Sequence, residues 1–292
     1  MRFPQYVIAC RTYARSAVFP QKTYRMLEHN GLTDRLYIFV ANKEEKALYE
    51  AALAGKPYAA IVVGRLGGAE AIRAICAHFP RGQRIVFMDD DLDRFFDFTK
   101  DGTFRSDSSA LAKYLEDGFA TLDQVGRGAF TFSFLKNKFW LKDKPFKEFR
   151  PATLAGNFFG TYNEPEMITT KFAHGDDLVR TTRYLDRDGG ILVYWWAGFD
   201  TRYGKEEGGL QASGNRGKDR LKHTGDISRT IYAAEPLVRA YANPPAQEKD
   251  NPFVSMKLKH LPQLRKILEE RGVSHPEYRW DTWFGGRAKK VD

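Results

Sequence analysis

The sequence predicts an α/β fold in which a mostly parallel sheet is covered by helices on both faces. Between residues 6 and 91, apolar strand-like runs alternate four times with helical periodicity. The runs are continuously apolar, as in strands that are buried on both faces of a sheet. The chain has 292 residues, of which 42% are hydrophobic and 14% aromatic, so it is long and apolar enough to build a core.

The predicted elements follow in chain order. Short runs rich in β-branched and aromatic residues predict strands at 6–9, 36–41, 58–63 and 84–88. Helical spacing predicts helices at 19–32, 44–53 and 68–78, and Gly31 is placed as a C-terminal cap. The pattern becomes irregular after Asp91. Further predictions are helices at 106–116, 176–184, 226–241 and 261–271, strands at 129–135 and 191–196, and a loop at 198–225.

The organisation predicted from these elements is one domain with an extension. Residues 1–225 form the predicted catalytic domain, and residues 226–292 form a helical and irregular C-terminal extension that packs on it. The pattern contains no internal repeat. The oligomeric state is left open.

Composition excludes several classes of protein. Lys and Arg number 46 against 37 Asp and Glu, and the net charge of +9 favours a polyanion or a phosphate-bearing ligand. Two cysteines are too few for a disulfide scaffold or a thiolate zinc cluster. No apolar run approaches the roughly 18 residues of a membrane span, and the first residues do not resemble a signal peptide. We therefore expect a cytoplasmic protein without a membrane partner, in the host cytoplasm if a phage encodes it.

Three adjacent carboxylates, Asp89, Asp90 and Asp91, directly follow the fourth predicted strand. Open α/β sheets bind ligands beyond the carboxyl ends of their strands. Because adjacent carboxylates repel one another, the cluster needs a cation, and Mg²⁺ or Mn²⁺ takes oxygen ligands that it shares with phosphates. Alternate residues of an extended chain point to one side, so Asp89 and Asp91 are the predicted metal ligands. The alternative is a solvated acidic turn.

Three segments together resemble a known enzyme family. The first strand continues into Ala-Cys-Arg-Thr at 9–12, the fourth into Asp-Asp-Asp at 89–91, and a predicted helix begins with Gly-Asp-Asp-Leu at 175–178. This arrangement resembles the GT-A fold of nucleotide-sugar glycosyltransferases, whose Asp-x-Asp motif binds the metal that bridges the donor diphosphate. The opening Tyr-Val-Ile-Ala-Cys-Arg-Thr-Tyr-Ala-Arg narrows the resemblance to the TET/JBP-associated glycosyltransferases, which include enzymes that glycosylate 5-hydroxymethylpyrimidines in DNA.

The resemblance implies a donor site and a complete metal site. The donor is a UDP-sugar, such as UDP-glucose or UDP-N-acetylglucosamine, and its uracil and ribose lie against the residues that follow the first strand. A histidine near the end of the catalytic domain often supplies a third metal ligand in this fold, and His223 has that position, with a surface histidine as the alternative. A basic, Gly-rich segment at 216–222 could close over the diphosphate, or it is simply solvated. The predicted donor contacts are Ala9, Arg11, Thr12, Arg15, Asp89, Asp90, Arg216 and Lys218.

Asp176 and Asp177 are the predicted acceptor-side carboxylates. They begin a helix, where the macrodipole favours the charged form, and a carboxylate there can take the proton of an acceptor hydroxyl. We assign Asp176 as the base and Asp177 as the cap or an acceptor ligand, although both could be simple helix caps. Such a base predicts inversion at the anomeric carbon. His174 and Gly175 stand where the family has Glu-Asp, which leaves the base open and makes His174 a predicted acceptor contact.

The predicted acceptor is modified double-stranded DNA. Between residues 136 and 150, six basic residues interleave with four aromatic ones, a pattern that can bind phosphates and stack on an extruded base. A surface hairpin whose aromatic side chains join the core explains the pattern equally well. The predicted DNA contacts are Lys136, Lys138, Trp140 and Lys142, together with His174.

Three other functions remain open at this point. The same enzyme class could act on a protein, lipid or polysaccharide acceptor. A nucleotidyltransferase also holds Mg²⁺ with acids after a strand, but it would have glycines in the segment at 11–15. A non-catalytic nucleic-acid-binding protein would explain the charge without explaining Asp89–Asp91.

Overall fold

The computed structural model describes residues 4–126, 128–133, 135–172, 175–201, 218–245, 256–284 and 288–291, with the side chains of 218–224 outside the description. The strands are β1 (Tyr6–Arg11), β2 (Leu36–Val40), β3 (Ala60–Val63), β4 (Arg84–Met88), β5 (Leu92–Phe98), β6 (Phe104–Arg105), β7 (Ala129–Phe132), β8 (Lys147–Arg150), β9 (Phe158–Tyr162), β10 (Ile191–Tyr194), β11 (Ala197–Thr201), β12 (Glu277–Trp280) and β13 (Lys289–Val291). The helices are α1 (Thr23–His29), α2 (Lys43–Ala52), α3 (Gly68–His78), α4 (Leu111–Val125), α5 (Lys138–Leu141), α6 (Pro165–Ile168), α7 (Asp176–Asp188), α8 (Lys218–Ala234), α9 (Pro236–Tyr241) and α10 (Leu261–Glu270).

Ten of the strands form one sheet in the order β13-β12-β8-β10-β7-β9-β4-β1-β2-β3. β1 is parallel to both β2 and β4, β2 is parallel to β3, and β7 is parallel to β10. Only β9, β8 and β13 run in the opposite direction to the other strands of this sheet. The prediction of an α/β fold with a mostly parallel sheet is therefore confirmed.

Helices cover both faces of this sheet because the side chains of each strand alternate between the faces. In β1, Ile8 and Cys10 pack in a core with residues of α1, α2 and α4. Val7 and Ala9 point the other way and pack with Ile72 of α3. All four β1 side chains are at most 1% exposed, so β1 is the interior strand from which the ligand edge is built.

A second, three-stranded sheet with the order β11-β5-β6 follows the aspartate cluster. The predictions of irregular structure after Asp91 and of a loop at 198–225 are wrong at β5 and β11. Their pairing is long-range, from Ala197 opposite Asp97 to Thr201 opposite Leu92. Asp97 is fully buried and accepts hydrogen bonds from Arg105 of β6. The charged residue that interrupts the apolar pattern of β5 therefore has its partner in a neighbouring strand.

The C-terminal part of the chain joins the main sheet. β12 pairs with β8 in antiparallel fashion, and β13 extends the edge beyond β12. α8 begins at Lys218, eight residues before the predicted helix start at 226, so the predicted loop is also too long at its C-terminal end. The domain boundary at residue 225 stays a prediction. In the described part of the chain, each helix is too short or too polar to cross a membrane.

The Phe130 ring lies in a slot formed by two glycines in the core. A Cβ atom added to Gly160 would lie 2.1 Å from the ring, and one added to Gly118 would lie 2.9 Å from it. Neither glycine has a positive φ, so the need for glycine is steric. The close approach brings α4, β7 and β9 together, and β9 is the strand that lies beside the carboxyl end of β4.

We predict that Gly160→Ala destabilises the fold by about 2–3 kcal/mol because the added methyl group overpacks the Phe130 ring. Phe130→Leu in the same chain should recover part of this loss, since the shorter side chain vacates the slot. Denaturant unfolding measures both free energies. Gly64→Ala is the matched control, because its added Cβ has ordinary contacts of 3.4 Å or more. Equal stability of Gly160→Ala and the wild type would contradict the prediction.

Candidate active site

Four segments converge at the carboxyl edge of β1 and β4. Cys10 lies opposite Met88 in these parallel strands, so Arg11 and Asp89 leave the sheet side by side. The start of β9 lies beside them because that strand is antiparallel to β4, and the Asp89 N–H donates to the carbonyl oxygen of Asn157 at 3.0 Å. The first turn of α7 completes the edge, with Asp177 packed against the segment that precedes β9.

Arg11 lies between two carboxylates that are far apart in sequence. Its Nη2 atom is 3.5 Å from Oδ1 of Asp89, and its Nη1 atom is 3.8 Å from Oδ2 of Asp176. One guanidinium thus contacts a predicted metal ligand, Asp89, and the predicted base, Asp176. The gap beneath it, to which Ala9 contributes, has a volume of about 10 Å³, and Ala9 is only 1% exposed.

Asp90 points away from this edge and into the protein. Its carboxylate is paired with Arg15, and the Thr12 hydroxyl donates to its Oδ2 atom at 2.5 Å. Nη1 of Arg15 also lies 3.1 Å from Oδ2 of Asp91. These contacts tie the loop after β1 to the loop after β4. The predicted donor-binding roles of Thr12, Arg15 and Asp90 stay predictions, since all three side chains are committed to this buried network.

The electrostatic environment of Asp89 favours a cation. Burial raises the pKa of Asp89 to about 6, against the opposing effect of Arg11. The neighbouring carboxylates Asp91, Asp90 and Asp176 add to the rise. A carboxyl group in this position is hard to ionise without a further positive charge, because desolvation and like charges both disfavour its anion.

The carboxylates at this edge are therefore suitable ligands for a divalent metal ion. Asp89 and Asp91 offer carboxylate oxygens, the ligands that Mg²⁺ and Mn²⁺ accept, and such ions are commonly held by one or two carboxylates with waters and substrate phosphates. Within the described residues, no group of three or more His, Cys, Asp or Glu side chains is arranged to hold a metal. Two protein carboxylates with waters or a substrate phosphate are a sufficient ligand set without a third side chain.

Asp176 and Asp177 have opposite environments although they are adjacent. Burial alone would raise the pKa of Asp176, but Arg180 and Arg11 outweigh it and the pKa is lowered. The Asp176 Oδ2 atom accepts from Nη1 of Arg180 at 2.6 Å. Burial raises the pKa of Asp177, and the charge of Asp176 raises it further. When the surroundings of two acids shift their pKa values in opposite directions, the two acids can take different roles in catalysis.

Sequence reasoning assigned no role to two polar groups of this edge. Arg180 is 1% exposed, and its Nε and Nη2 atoms have no partner among the described residues. Its guanidinium lies 5.0 Å from the ring centre of Phe159. Oδ1 of Asn157 is also buried without a described partner. The four-residue spacing from Asp176 was a readable signal for Arg180, because side chains at i and i+4 meet on a helix, whereas Asn157 carried no such signal.

Four of the predicted DNA contacts lie in and around α5. Trp140 is 62% exposed, and Lys136 is paired with Asp200. The Lys142 ammonium lies 5.2 Å from the ring centre of Phe139. Among the described residues, no hydrogen bond or ion pair joins these side chains to Asp176, whose partners there are Arg11 and Arg180. His174 and Arg216 lie outside the described residues, and Lys218 and His223 are described only as backbone in α8.

Comparisons with known proteins give only distant likenesses. No family model matches the chain, and no curated protein matches it. Among solved structures, it is similar to the mannosyltransferase PcManGT from Pyrobaculum calidifontis in complex with GDP-Man and Mn²⁺, with 13% identity, 93% of this chain and 76% of that chain covered, and a TM-score of 0.46. It is also similar to S. aureus TarS 1–349 in complex with UDP-GlcNAc, with 11% identity, 79% and 66% covered, and a TM-score of 0.45. The function proposed below rests on the residues of this chain.

Proposed function

We propose that the chain is a metal-dependent, inverting glycosyltransferase that moves a sugar from a UDP-sugar to the hydroxyl of a 5-hydroxymethylpyrimidine in DNA. The observation that carries this proposal is the position of Arg11 between Asp89 and Asp176. It places a metal-type carboxylate and an acceptor-type carboxylate within reach of one side chain. Transfer from a nucleotide sugar requires a metal-binding carboxylate on the leaving-group side of the bond that breaks and a basic carboxylate on the acceptor side.

The donor diphosphate lies at the Asp89 side of Arg11 in this proposal. A Mn²⁺ or Mg²⁺ ion bound by Asp89 and Asp91 would stabilise the negative charge that develops on the leaving diphosphate. Arg11, whose Nη2 atom lies 3.5 Å from Oδ1 of Asp89, provides a second stabilising charge. Arg15 holds Asp90 and Asp91 in place, which fixes the loop that carries Asp89. Arg216, Lys218 and His223 remain donor-side and metal-side proposals from the family resemblance.

Asp177 is a better candidate than Asp176 for the base. The carboxylate of Asp176 is held by Arg180, and its lowered pKa makes it a weaker proton acceptor. Asp177 has a raised pKa, makes no described ion pair, and accepts only the Leu178 N–H, at 2.9 Å, among the described contacts. An effective base has a pKa near the working pH and a carboxylate oxygen available to the substrate. We therefore assign Asp177 as the base and Asp176 as its orienting neighbour.

The chemical step is a single displacement. The acceptor hydroxyl oxygen attacks the anomeric carbon, and its proton passes to the Asp177 carboxylate. The bond from the anomeric carbon to the diphosphate oxygen breaks, and its electron pair leaves with UDP. Because attack and departure occur on opposite faces of the sugar, the anomeric configuration inverts.

Two features support DNA as the acceptor. The net charge of +9 favours a polyanion. Exposed aromatic side chains at Phe139 and Trp140 stand beside lysines, as base-stacking surfaces of nucleic-acid-binding proteins do. The pair is 63% and 62% exposed, so these aromatics do not belong to the core. A neutral polysaccharide acceptor would not require this combination of charge and exposed aromatic side chains.

The metal and donor assignment predicts linked stabilisation. UDP with Mn²⁺ at 100 times the dissociation constant should stabilise the protein by about 2.7 kcal/mol, and EDTA should abolish the effect. Asp89→Asn should remove the Mn²⁺-dependent part, whereas the exposed Asp107→Asn should retain it. Thermal unfolding followed by fluorescence measures each case. If UDP and Mn²⁺ left the wild type unchanged, a non-catalytic nucleic-acid-binding protein would be the better interpretation.

The base assignment predicts different failures for the two acids of α7. Asp177→Asn should lower the rate of transfer by about 10²- to 10⁴-fold with UDP binding intact. Asp176→Asn should instead destabilise the fold by about 3 kcal/mol, because it leaves Arg180 buried without its charge partner. Steady-state kinetics and denaturant unfolding separate the two. Asp226→Asn is the control for a surface acid of a helix, and full activity of Asp177→Asn would overturn the assignment.

The acceptor is tested directly by mass spectrometry. Hydroxymethylated duplex DNA incubated with the protein, Mn²⁺ and a panel of UDP-sugars should gain the mass of one sugar residue per modified base. The rate should fall steeply as salt rises, because each phosphate contact contributes about −0.9 to the slope of log affinity against log salt. Unmodified DNA is the control. Transfer to a protein or glycan but not to DNA would contradict the acceptor assignment and leave the enzyme class intact.

A further inference from the structure

A cavity of about 280 Å³ lies at the far end of the small sheet from the active site. The turn after β5 forms one wall and the segment before β8 forms a second. Residues that follow β12 and the residue that precedes β11 complete it. No role has been assigned to it so far. The lining residues are Lys100, Asp101, Gly102, Lys144, Pro145, Phe146, Trp196, Asp281 and Trp283.

The distance from the reaction centre follows from the strands between them. β5 starts at Leu92, next to Asp91, and ends at Phe98, two residues before the cavity residue Lys100. β11 runs back antiparallel from Ala197, next to Trp196, to Thr201, whose hydroxyl lies 3.4 Å from the carbonyl oxygen of Asp91. Seven strand residues at about 3.3 Å each separate the two ends by roughly 20 Å.

The apolar wall of the cavity is aromatic and fixed in position. The ring centres of Phe146 and Trp283 are 4.7 Å apart, and those of Trp196 and Trp283 are 6.2 Å apart. Nε1 of Trp196 donates to the Lys144 carbonyl oxygen at 3.0 Å. The two tryptophans are partly exposed.

The rim carries two lysines that make no described ion pair and two aspartates, Asp101 and Asp281, whose carboxylates already have partners. Lys100 and Lys144 line the cavity, and neither forms a salt bridge with a described carboxylate. Asp281, on the same rim, is already paired with Arg279 and Lys289. Unpaired ammonium groups next to aromatic faces complement phosphates next to bases.

α5 extends this surface beyond the cavity. The Lys138 ammonium lies 3.7 Å from the position that a Cβ atom would take at Gly102, on the cavity rim. The next two residues, Phe139 and Trp140, are the exposed aromatics of α5. Lysines and aromatics therefore continue from the cavity onto α5 without interruption.

We propose that this cavity and α5 form a second contact site for a polynucleotide acceptor, at which Lys100 and Lys144 bind phosphates and Trp140 stacks on a base. The inference rests on the proposed function for the identity of the acceptor and adds a requirement on its length. At 3.4 Å per base step, the roughly 20 Å to the active site corresponds to about six steps. An acceptor that reaches fewer than six steps beyond the target base cannot occupy both sites.

The test measures binding separately from transfer. Fluorescence anisotropy with a labelled, unmodified 20-base-pair duplex and the full chain gives dissociation constants between 50 and 200 mM NaCl. Lys100→Gln/Lys144→Gln should reduce the magnitude of the salt slope by about 1.8, which corresponds to two lost phosphate contacts. Trp140→Ala should weaken binding without changing the slope. Lys43→Gln/Lys46→Gln on α2 is the matched control and should behave as the wild type.

Length dependence provides the second measurement. The wild type should transfer sugar to a centrally hydroxymethylated 8-base-pair duplex at least tenfold less efficiently, in kcat/KM, than to a 20-base-pair duplex. The difference should vanish in Lys100→Gln/Lys144→Gln, because that variant no longer uses the distant site. Far-ultraviolet circular dichroism checks that the variants, all changed at exposed or rim side chains, are folded.

The outcomes distinguish the two proposals. Unchanged binding, salt slope and length dependence in the double variant would overturn the second site, even if DNA is glycosylated. A reduced salt slope without any transfer by the wild type would support the second site and overturn the proposed function. The wild type could instead bind a neutral glucan oligosaccharide, with this binding lost in the double variant while DNA binding is unaltered. That result would assign the cavity to a saccharide and so overturn the inference.

Discussion

The arrangement of this protein depends on charge balance at the carboxyl edge of β1 and β4. Carboxylates meet there from the loop after β4 and from the start of α7, and guanidinium groups from β1, the loop after it and α7 separate them. Buried charges persist only when paired and hydrogen-bonded, so each arginine fixes the geometry of the acids it contacts. The carboxylates are Asp89, Asp90, Asp91, Asp176 and Asp177, and the guanidinium groups are Arg11, Arg15 and Arg180.

The fold could be predicted where local pattern and pairing agree. β1 to β4 are continuous apolar runs joined by helices, and their class, order and bounds were predicted within a few residues. β5 was missed because Asp93, Arg94 and Asp97 interrupt its apolar pattern, and the partner that makes Asp97 tolerable lies in another strand. β12 was missed for a related reason, since it is a strand by virtue of its pairing with β8, more than a hundred residues away.

The candidate site was predicted in its parts but not in its connections. The acids after β4 and at the start of α7 are readable because each group is adjacent in sequence and stands at an element boundary. The contact of Arg11 with Asp176 joins residues 165 positions apart, and no local pattern reports it. The contacts with Arg11 and Arg180 affect the relative basicity of Asp176 and Asp177. Because the sequence does not report both contacts, it favoured Asp176, the acid that these arginines contact.

The separation between the acidic edge and the cavity that carries Lys100 and Lys144 resolves a conflict in the proposed reaction. Among the described residues of the edge, five carboxylates stand against three guanidinium groups. A divalent metal ion would offset this excess of two negative charges, and the bound donor diphosphate would restore a negative charge that repels a polyanionic acceptor. Screening at physiological salt limits such repulsion to about 8 Å. Lysines placed roughly 20 Å away along β5 can therefore bind acceptor phosphates without being cancelled by the edge, and without adding cations that would lower the pKa of the base. Binding energy gained at the distant site can hold the acceptor at an edge that would otherwise exclude it.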